Sequence, residues 1–367
     1  MIGSGRTKLG IVYAAGGSGG HIYPMLAVDE ALRTQHAADA VWICSERAID
    51  AEVLTAAGRE PMPIPARQAA RAPKALASLA WNWGRAVRES RAAIVELRER
   101  TDRLVMLTTG GFVSAPAAQA AQRENVPIAM LALDAIPGRA SRFVAHRAAA
   151  LLSVYDLPTY QHVGPVVRTS ARATLAPAHA REALSLDPNR PTLLITGGSQ
   201  GAQSINNLAI AFTEAHRATF DHWQIIHQTG RADEDRVRAH YDQFGIASVV
   251  SPLLDPVGTA LAAADLALTR AGAGTVAELW AARLPAVLMP YPYHRDQHQA
   301  ANAAPLVGGG ILRTDRIDPA QNLAEAGQSL LDLMSTPDNL ASMRAALETL
   351  PSADGAERVA KILAALA

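Results

Sequence analysis

The sequence predicts an α/β fold of two doubly wound domains, each built on a parallel sheet. Its 367 residues are too many for one ordinary core and suit two domains. Short apolar runs alternate with longer segments of helical periodicity, as in sheets that helices cover on both faces. Each half opens with a strand, a glycine loop and a helix. We therefore expect two Rossmann-like domains that face a central cleft.

Ten apolar runs have the length of buried strands and lack the alternation of half-exposed ones. They are Leu9–Tyr13, Ala40–Cys44, Leu104–Leu107, Pro127–Leu131, Ala150–Val154, Thr192–Thr196, Gln224–His227, Ser248–Leu253, Leu266–Thr269 and Ala286–Met289. Residues 169–191 contain three prolines and no apolar run, so we expect a linker there. The predicted parts are an N-terminal domain over 1–168, a linker over 169–191, a C-terminal domain over 192–345 and a C-terminal helix over 346–367.

Charge and cysteine content exclude several classes of protein. The formal net charge is +0, which argues against bulk nucleic-acid binding. Cys44 is the only cysteine, so the chain has no internal disulfide and no cysteine-based zinc site, and we expect a cytoplasmic protein. No apolar run reaches the length of a membrane span. The N-terminal run Leu9–Ala15 ends in glycines, and a first buried strand explains it better than a signal peptide.

Two glycine loops follow predicted strands and lead into predicted helices. Residues 16–20 read Gly-Gly-Ser-Gly-Gly, and residues 197–201 read Gly-Gly-Ser-Gln-Gly. Such loops let backbone N–H groups approach a phosphate at a helix N-terminus. Neither loop matches the dinucleotide fingerprint, because Ile22 and Gln200 stand where glycine is required, and neither has the P-loop ending. A tight turn without a ligand is the alternative.

A third strand–loop–helix junction spans residues 269–278. Thr275 and Glu278 are spaced as a capping box, with threonine at the N-cap and glutamate three positions later. Glu278 could therefore be purely structural. A carboxylate facing a cleft could equally hold two ribose hydroxyls.

The segment over 290–302 is dense in hydrogen-bonding side chains directly after a strand, which suits a loop that binds sugar hydroxyls. His294 and His298 stand four residues apart, but the H-E-x-x-H zinc motif is absent, so no metal site is predicted. The alternative is a solvated polar loop.

Arginines flank tryptophans and aliphatic residues over 67–100. This composition suits the surface of an anionic membrane. An ordinary amphipathic helix with an arginine-rich outer face is the alternative.

Five motifs, in order along nearly the whole chain, resemble the bacterial MurG family, which adds GlcNAc to lipid I to give lipid II. They are residues 16–21 with Pro24, 110–116 (Gly-Gly-Phe-Val-Ser-Ala-Pro), 197–202, 270–278 and 296–302 with its D-x-x-Q-x-x-N pattern. The resemblance implies the GT-B fold, with the last helix crossing back to the first domain. It also implies donor binding in the C-terminal domain. No D-x-D metal motif stands at a convincing site, so we expect no required metal in the donor site, and no cofactor is predicted.

The resemblance also implies roles for individual residues. Glu278 would hold the ribose, Leu254 would lie near the uracil, Ser199 and Gln200 near the diphosphate, His298 and Gln299 would contact GlcNAc, and Arg168 is the family's arginine after the interdomain turn. Gly17, Ser18, Gly19, Gly20, Gly110 and Gly111 would form phosphate or acceptor loops, and Leu76, Leu79, Trp81 and Trp83 a membrane patch. The implied partners are UDP-GlcNAc, a lipid-linked acceptor and the cytoplasmic face of the membrane. The protein would be cytoplasmic and peripheral on the inner face.

Two departures from the family lie on the acceptor side. The usual His-Glu-Gln-Asn reads Leu-Ala-Leu-Asp at 131–134, and the usual Gly-Asn-Pro-Val-Arg reads Gly-Pro-Val-Val-Arg at 164–168. A related enzyme with another lipid or secondary-metabolite acceptor, or a non-catalytic sugar-nucleotide-binding protein, is therefore the alternative. Either His21 or Asp134 is the predicted general base. His21 follows the first glycine loop, and its ordinary pKa suits proton removal at neutral pH.

Overall fold

The computed structural model describes residues 8–17, 19–67, 73–198, 201–293, 296–307, 311–313 and 319–367, with backbone alone for 73–80, 311–313 and 319–323. These residues form two compact units. The first unit runs to Arg168 and also includes Asp354–Ala367, and the second is Thr169–Ala353.

The first unit is built on a parallel sheet. Its strands are β1 (Leu9–Ala14), β2 (Ala38–Ser45), β3 (Pro61–Ile64), β4 (Arg103–Thr108), β5 (Ile128–Ala132), β6 (Ala150–Ser153) and β7 (Gln161–His162). Its first five helices are α1 (Gly19–Arg33), α2 (Ala48–Ala56), α3 (Pro73–Glu99), α4 (Ser114–Arg123) and α5 (Arg139–Ala145). All six residues of β1 are buried, which explains why its sequence is apolar without alternation.

The strand order is β3-β2-β1-β4-β5-β6-β7, so the sheet grows in both directions from β1. The direction reverses between β1 and β4, whose residues pair in register from Leu9–Arg103 to Ala14–Thr108. Ligands of doubly wound sheets bind at the carboxyl ends of the strands beside such a switch point. Both N-terminal glycine loops begin there.

The second unit repeats this plan. Its strands are β8 (Thr192–Thr196), β9 (Gln224–Gln228), β10 (Ser248–Ser251), β11 (Leu266–Thr269), β12 (Ala286–Leu288) and β13 (Ile311–Arg313). Its helices are α6 (Pro177–Ala183), α7 (Gln203–Ala215), α8 (Glu234–Gln243), α9 (Val257–Ala263), α10 (Ala273–Ala282), α11 (His298–Ala303), α12 (Pro319–Ser335) and α13 (Pro337–Glu348). The order is β10-β9-β8-β11-β12-β13, all parallel, with the switch point between β8 and β11. The predicted fold class is confirmed.

The chain ends in α14 (Gly355–Leu366), which packs on α1 within the first unit. Its Val359, Ala360 and Leu363 are buried. The N–H of Gly355 donates to the carbonyl of Pro165 at 3.0 Å, and a side chain at Gly355 would collide with that backbone. The predicted helix over 346–367 therefore starts later, since the segment around Pro351 separates α13 from α14.

The predicted linker over 169–191 differs from the structure, because these residues belong to the second unit. They contain α6, which packs on α9. The buried Arg181 donates to the carbonyl of Ala263 at 3.0 Å and to the carboxylate of Asp265 at 2.6 Å. Polar contacts of Arg181 attach this segment to the second unit, and the segment contains no apolar run. The hydrophobic pattern therefore could not show that it belongs to that unit.

The ten predicted strands correspond to ten of the strands described, and three others were not predicted. β7 has two residues, and β3, β7 and β13 are all edge strands of their sheets. β3 carries prolines at positions 61 and 63, which are tolerated on an edge strand. The prolines of β3 and the polar Gln161 and His162 of β7 leave no apolar run in either segment.

Candidate functional site

The first glycine loop is a tight turn held from behind by α2. Gly17 adopts the left-handed region, with φ of +98°. Its N–H donates to Asp50 Oδ2 at 2.8 Å, and its carbonyl accepts from Arg47 Nη1 at 2.7 Å. The N–H of Gly17 is therefore already paired within the protein. Ser18 lies outside the described residues, and Gly19 and Gly20 form the first turn of α1.

The second glycine loop follows β4 and lies against the first. Gly110 and Gly111 have φ of +98° and +80°. A Cβ on Gly111 would lie 3.0 Å from the carbonyl oxygen of Gly16 and 3.8 Å from His21 Nε2. Thr109 Oγ1 donates to the backbone carbonyl of His21 at 2.9 Å. Only glycine allows this approach, so the two loops together fix the position of His21.

The His21 ring is held in its neutral form. Burial lowers the pKa of His21, and the carboxylate of Asp134 opposes this change only in part. The ring Nδ1 is buried and has no hydrogen-bond partner within the described part of the chain. Asp134 is half-buried at a bend just after β5. Burial, followed by the charge of Asp134, also raises the pKa of Tyr155. The structure thus brings both predicted base candidates together.

Arg168 ends the first unit and stacks on α1. Its guanidinium carbon lies 4.1 Å from the centre of the Tyr23 ring, a cation–π contact. Gly19 lies under the same ring, since a Cβ there would approach Tyr23 Cε2 to 2.9 Å. Arg168 is therefore placed beside the first glycine loop.

The C-terminal glycine loop is held by the end of the neighbouring strand. The N–H of Gly198 donates to Thr196 Oγ1 at 3.1 Å, and Gln228 Nε2 donates to the carbonyl of Gly198 at 3.1 Å. Gly201, with φ of +73°, lies so close to the carbonyl of Thr229 that no side chain would fit. Ser199 and Gln200 lie outside the described residues.

A buried polar network supports this edge of the second sheet. His227 bonds to Tyr241 Oη at 2.8 Å and to Asn206 Oδ1 at 3.1 Å. Asn206 Nδ2 donates in turn to the carbonyl of Thr229 at 3.0 Å. Burial lowers the pKa of His227 to about 3, so the ring stays neutral and the network keeps its hydrogen bonds at physiological pH.

Arg270, at the end of β11, joins three segments around the donor-side loops. Its Nη1 donates to the carbonyl of Met289 at 2.9 Å, and its Nη2 donates to Ser204 Oγ near the start of α7. Its guanidinium also lies 5.7 Å from the centre of the Tyr291 ring. Burial lowers the pKa of Arg270. The resemblance gave this arginine no separate role.

The capping-box interpretation of Thr275 and Glu278 is wrong. The helix α10 begins at Ala273 with Gly272 as its N-cap, and it has no side-chain capping bond. Thr275 is therefore the third helical residue and Glu278 the sixth. The helix starts three residues earlier than the motif indicates, because a threonine N-cap at 275 would make residue 276 the first helical one. Glu278 is half-buried, one and a half turns into the helix that follows β11.

Within the segment over 290–302, the described side chains bond to one another and to the segment's backbone. The N–H of Tyr291 donates to Gln299 Oε1 at 2.8 Å. His298 Nδ1 lies 2.8 Å from Asp296 Oδ1, and this hydrogen bond lowers the pKa of Asp296. Because a carboxylate can only accept, Nδ1 carries the proton of this hydrogen bond. Buried Asn302 bonds to the carbonyl of Ala271. His294 lies outside the described residues.

Leu254 lies in the turn between β10 and α9. It is half-buried and packs against the core of the second unit, next to Leu253, which is exposed. No group of three or more His, Cys, Asp or Glu side chains is placed to hold a metal ion in the ranges that the structure describes.

The predicted membrane patch does not form a single face. Trp81 is 87% exposed, whereas Trp83 packs against the core of the first unit. The Trp83 Nε1 donates to Gln119 Oε1 at 2.6 Å, and its ring makes an edge contact with Phe143. Residues two apart on a helix point in nearly opposite directions, which explains the difference. The side chains of Leu76 and Leu79 are outside the description. Among the described helices, none is long and apolar enough to cross a membrane.

Comparison with known proteins shows the family. Residues 11–153 match the glycosyltransferase family 28 N-terminal domain, and residues 192–359 match its C-terminal domain. A protein of Halorhodospira halophila is 33% identical over 96% of this chain and 97% of its own length. A protein of Clavibacter michiganensis is 36% identical over 95% and 94%. Both are named UDP-N-acetylglucosamine–N-acetylmuramyl-(pentapeptide) pyrophosphoryl-undecaprenol N-acetylglucosamine transferase.

Solved structures share the fold. The crystal structure of Acinetobacter baumannii MurG has a TM-score of 0.72 at 21% identity and covers 98% of this chain and 99% of its own. A co-structure of Staphylococcus aureus MnaA with UDP has a TM-score of 0.63 at 12% identity over 98% of each chain. The family models, the full-length relatives and the five motifs agree, and the chain belongs to glycosyltransferase family 28 and, within it, to the MurG family.

Proposed function

We propose that this glycosyltransferase moves GlcNAc from UDP-GlcNAc to the 4-hydroxyl of undecaprenyl-diphospho-MurNAc-pentapeptide, converting lipid I into lipid II. The observation that carries the proposal is full-length similarity, at 33–36% identity, to relatives named for this transfer. The paired glycine loops of the first unit and the ordered loops of the second support it.

On the acceptor side, we assign the general base to His21. Its neutral ring takes the proton of the acceptor hydroxyl while the hydroxyl oxygen attacks the anomeric carbon of GlcNAc. The bond from that carbon to the diphosphate breaks, UDP leaves, and the configuration inverts. Burial supports this role, because a base must be unprotonated before it acts. Asp134 favours the protonated ring that forms, and so stabilises the transition state. The loops at Gly19–Gly20 and Gly110–Gly111 would contact the acceptor.

On the donor side, the roles follow the resemblance and the local geometry. Glu278 would accept hydrogen bonds from two ribose hydroxyls, Leu254 would lie near the uracil, and Ser199 and Gln200 would bind the diphosphate. By the resemblance, Arg168 is a further donor-binding residue. Gln299 keeps its amide N–H₂ for the sugar, since its Oε1 is paired with Tyr291. His298 would contact a hydroxyl of GlcNAc, with its ring oriented by the hydrogen bond to Asp296.

The membrane supplies the acceptor, because its long lipid tail stays in the bilayer. We therefore propose a peripheral enzyme on the inner face of the membrane, with Trp81 as its exposed anchor. Arginines of the same helix, such as Arg85 and Arg88, would favour anionic headgroups. With zero formal net charge, no nucleic-acid partner is proposed.

A related enzyme with another lipid-linked acceptor is the second candidate. The observation that favours it is the apolar sequence at positions 131–133, which is buried where the family usually has polar side chains. Asp134, the last residue of that motif, is half-buried and lies just beyond the carboxyl end of β5.

One assay separates the possibilities. The purified chain is incubated with UDP-GlcNAc and either lipid I or another undecaprenyl-linked sugar, and both UDP release and the glycosylated lipid are measured. The proposal expects lipid II from lipid I only. Product from the other acceptor alone would support the second candidate. Binding of UDP without product from either would indicate a non-catalytic sugar-nucleotide-binding protein.

A further inference from the structure

A carboxylate of the first unit is buried behind the first glycine loop. Asp50, in the first turn of α2, has a fully buried side chain. Its Oδ2 accepts three hydrogen bonds, from the N–H of Gly17, the N–H of Ser45 and the hydroxyl of Ser45. Its Oδ1 is buried and has no hydrogen-bond partner among the described residues. Burying a carboxylate is costly unless it is bonded, so a specific constraint keeps it there.

The same turn is held from its other side. Arg47, three residues before Asp50, donates to the carbonyl of Gly17 at 2.7 Å. Its guanidinium also lies 5.2 Å from the centre of the Phe112 ring, which covers Gly17. The segment from Arg47 to Asp50 thus bonds to both the N–H and the carbonyl of Gly17, the residue at the turn between β1 and α1.

The turn decides where His21 stands. Gly17 has φ of +98°, and α1 begins two residues later, with His21 as its third residue. The position of the His21 ring against Gly111 therefore depends on the direction in which the chain leaves Gly17. Gly16 has no room for a side chain for the same reason, since a Cβ there would press on the Asp50 carboxylate and on the N–H of Ser45.

We propose that Asp50, assisted by Arg47, is a positioning residue of the transfer reaction: it clamps Gly17 and so aims His21 at the acceptor. The carboxylate occupies the N–H that a phosphate would otherwise bind, so Gly17 supports the loop and does not contact the acceptor's diphosphate. This inference rests on the proposed role of His21. The hydrogen bond from Gly17 to Asp50, which we call the clamp, can be measured without any sugar transfer.

The test compares Asp50→Asn with Glu52→Gln. Both replace a carboxylate by an amide of the same size on α2, but Glu52 is exposed and touches no part of the loop in the hydrogen bonds described. Amide hydrogen exchange by NMR gives the protection of Gly17, and steady-state kinetics give kcat and the KM of each substrate. Asp50→Asn should speed exchange at Gly17 by about tenfold, with protection of the β1 amides kept. It should lower kcat by on the order of tenfold to a hundredfold, with both KM values little changed.

Arg47→Met provides a second variant if Asp50→Asn does not fold, because Arg47 is exposed and methionine keeps most of its stem. It should lower kcat in the same direction by a smaller factor. Unchanged exchange at Gly17 in Asp50→Asn would overturn the clamp. A higher KM for lipid I with kcat unchanged, in either variant, would overturn positioning in favour of direct acceptor binding. Faster exchange in a chain that transfers no sugar at all would uphold the clamp and refute only the proposed function.

Discussion

The carbonyl oxygen of Gly16 lies 3.0 Å from the point where a Cβ on Gly111 would stand. Glycine at 111 therefore serves two purposes, because it also supplies a φ of +80°. The contact joins the loops that follow β1 and β4, at the switch point of the first sheet. It explains why two glycine motifs separated by more than ninety residues belong to one site.

Replacing Gly111 by alanine should damage both stability and turnover. The added methyl must push the Gly16 carbonyl away in a backbone conformation that L residues rarely adopt, which costs roughly 1–3 kcal/mol of unfolding free energy. We expect a lower melting temperature and a strong loss of kcat, since His21 lies beside the same point. The control is Gly84→Ala in α3, where space is open and alanine should stabilise by roughly 0.5–1 kcal/mol. Normal turnover in Gly111→Ala would show that the loops do not need this contact.

Glu278→Ala should weaken UDP binding at least about tenfold, because a carboxylate that accepts two ribose hydroxyls makes charge-assisted bonds of roughly 1.5–3 kcal/mol each. The helix α10 starts at Ala273 and does not use Glu278 as a cap, so the melting temperature should change little. Calorimetric titration with UDP and a melting curve measure the two effects. Thr275→Ala is the matched control for capping and should leave the melting temperature unchanged. A large loss of stability with unaltered UDP affinity would make Glu278 a structural residue.

Trp81 and Trp83 should respond differently to substitution. Trp81→Ser should lower binding to anionic vesicles about tenfold, equivalent to about 1.4 kcal/mol, and leave the melting temperature unchanged. Trp83→Ser should lower unfolding free energy by roughly 1–3 kcal/mol, because it removes core packing and the bond to Gln119. Co-sedimentation with vesicles at several salt concentrations tests the first, and binding should weaken as salt rises. Equal vesicle binding by wild type and folded Trp81→Ser would remove Trp81 from the membrane contact.

The sequence predicts the two sheets well because buried parallel strands are continuous apolar runs. The glycine motifs also predict tight loops, because a positive φ or a close backbone approach excludes most other residues, as at Gly17 and Gly111. It could not predict that the N–H of Gly17 is paired with Asp50, because that contact joins residues 33 apart through tertiary packing. A carboxylate in the first turn of the helix after the neighbouring strand was the available signal.

Short local motifs predict the structure less reliably than the apolar runs do. The capping box predicted at Thr275 does not form, because the helix starts at Ala273 with Gly272 as its N-cap. The tryptophans of α3 were grouped by composition, although a spacing of two places them on different sides of a helix. The roles of Arg270 and Gln228 arise from strand ends that meet only in the folded sheet.

His21 and Asp134 should be distinguishable by kinetics. General-base assistance contributes roughly 10²–10⁴-fold, so His21→Ala should lower kcat by that order while the KM for UDP-GlcNAc changes little. Asp134→Asn should have the smaller effect. Burial lowers the pKa of His21, so the acid limb of kcat/KM, which reports the free enzyme, should lie below about pH 6.5. The Asp134 charge raises that pKa, so Asp134→Asn should move the acid limb to still lower pH. Profiles of kcat/KM against pH for both variants provide the measurement. If Asp134→Asn abolishes turnover and His21→Ala mainly raises KM, the two roles are reversed.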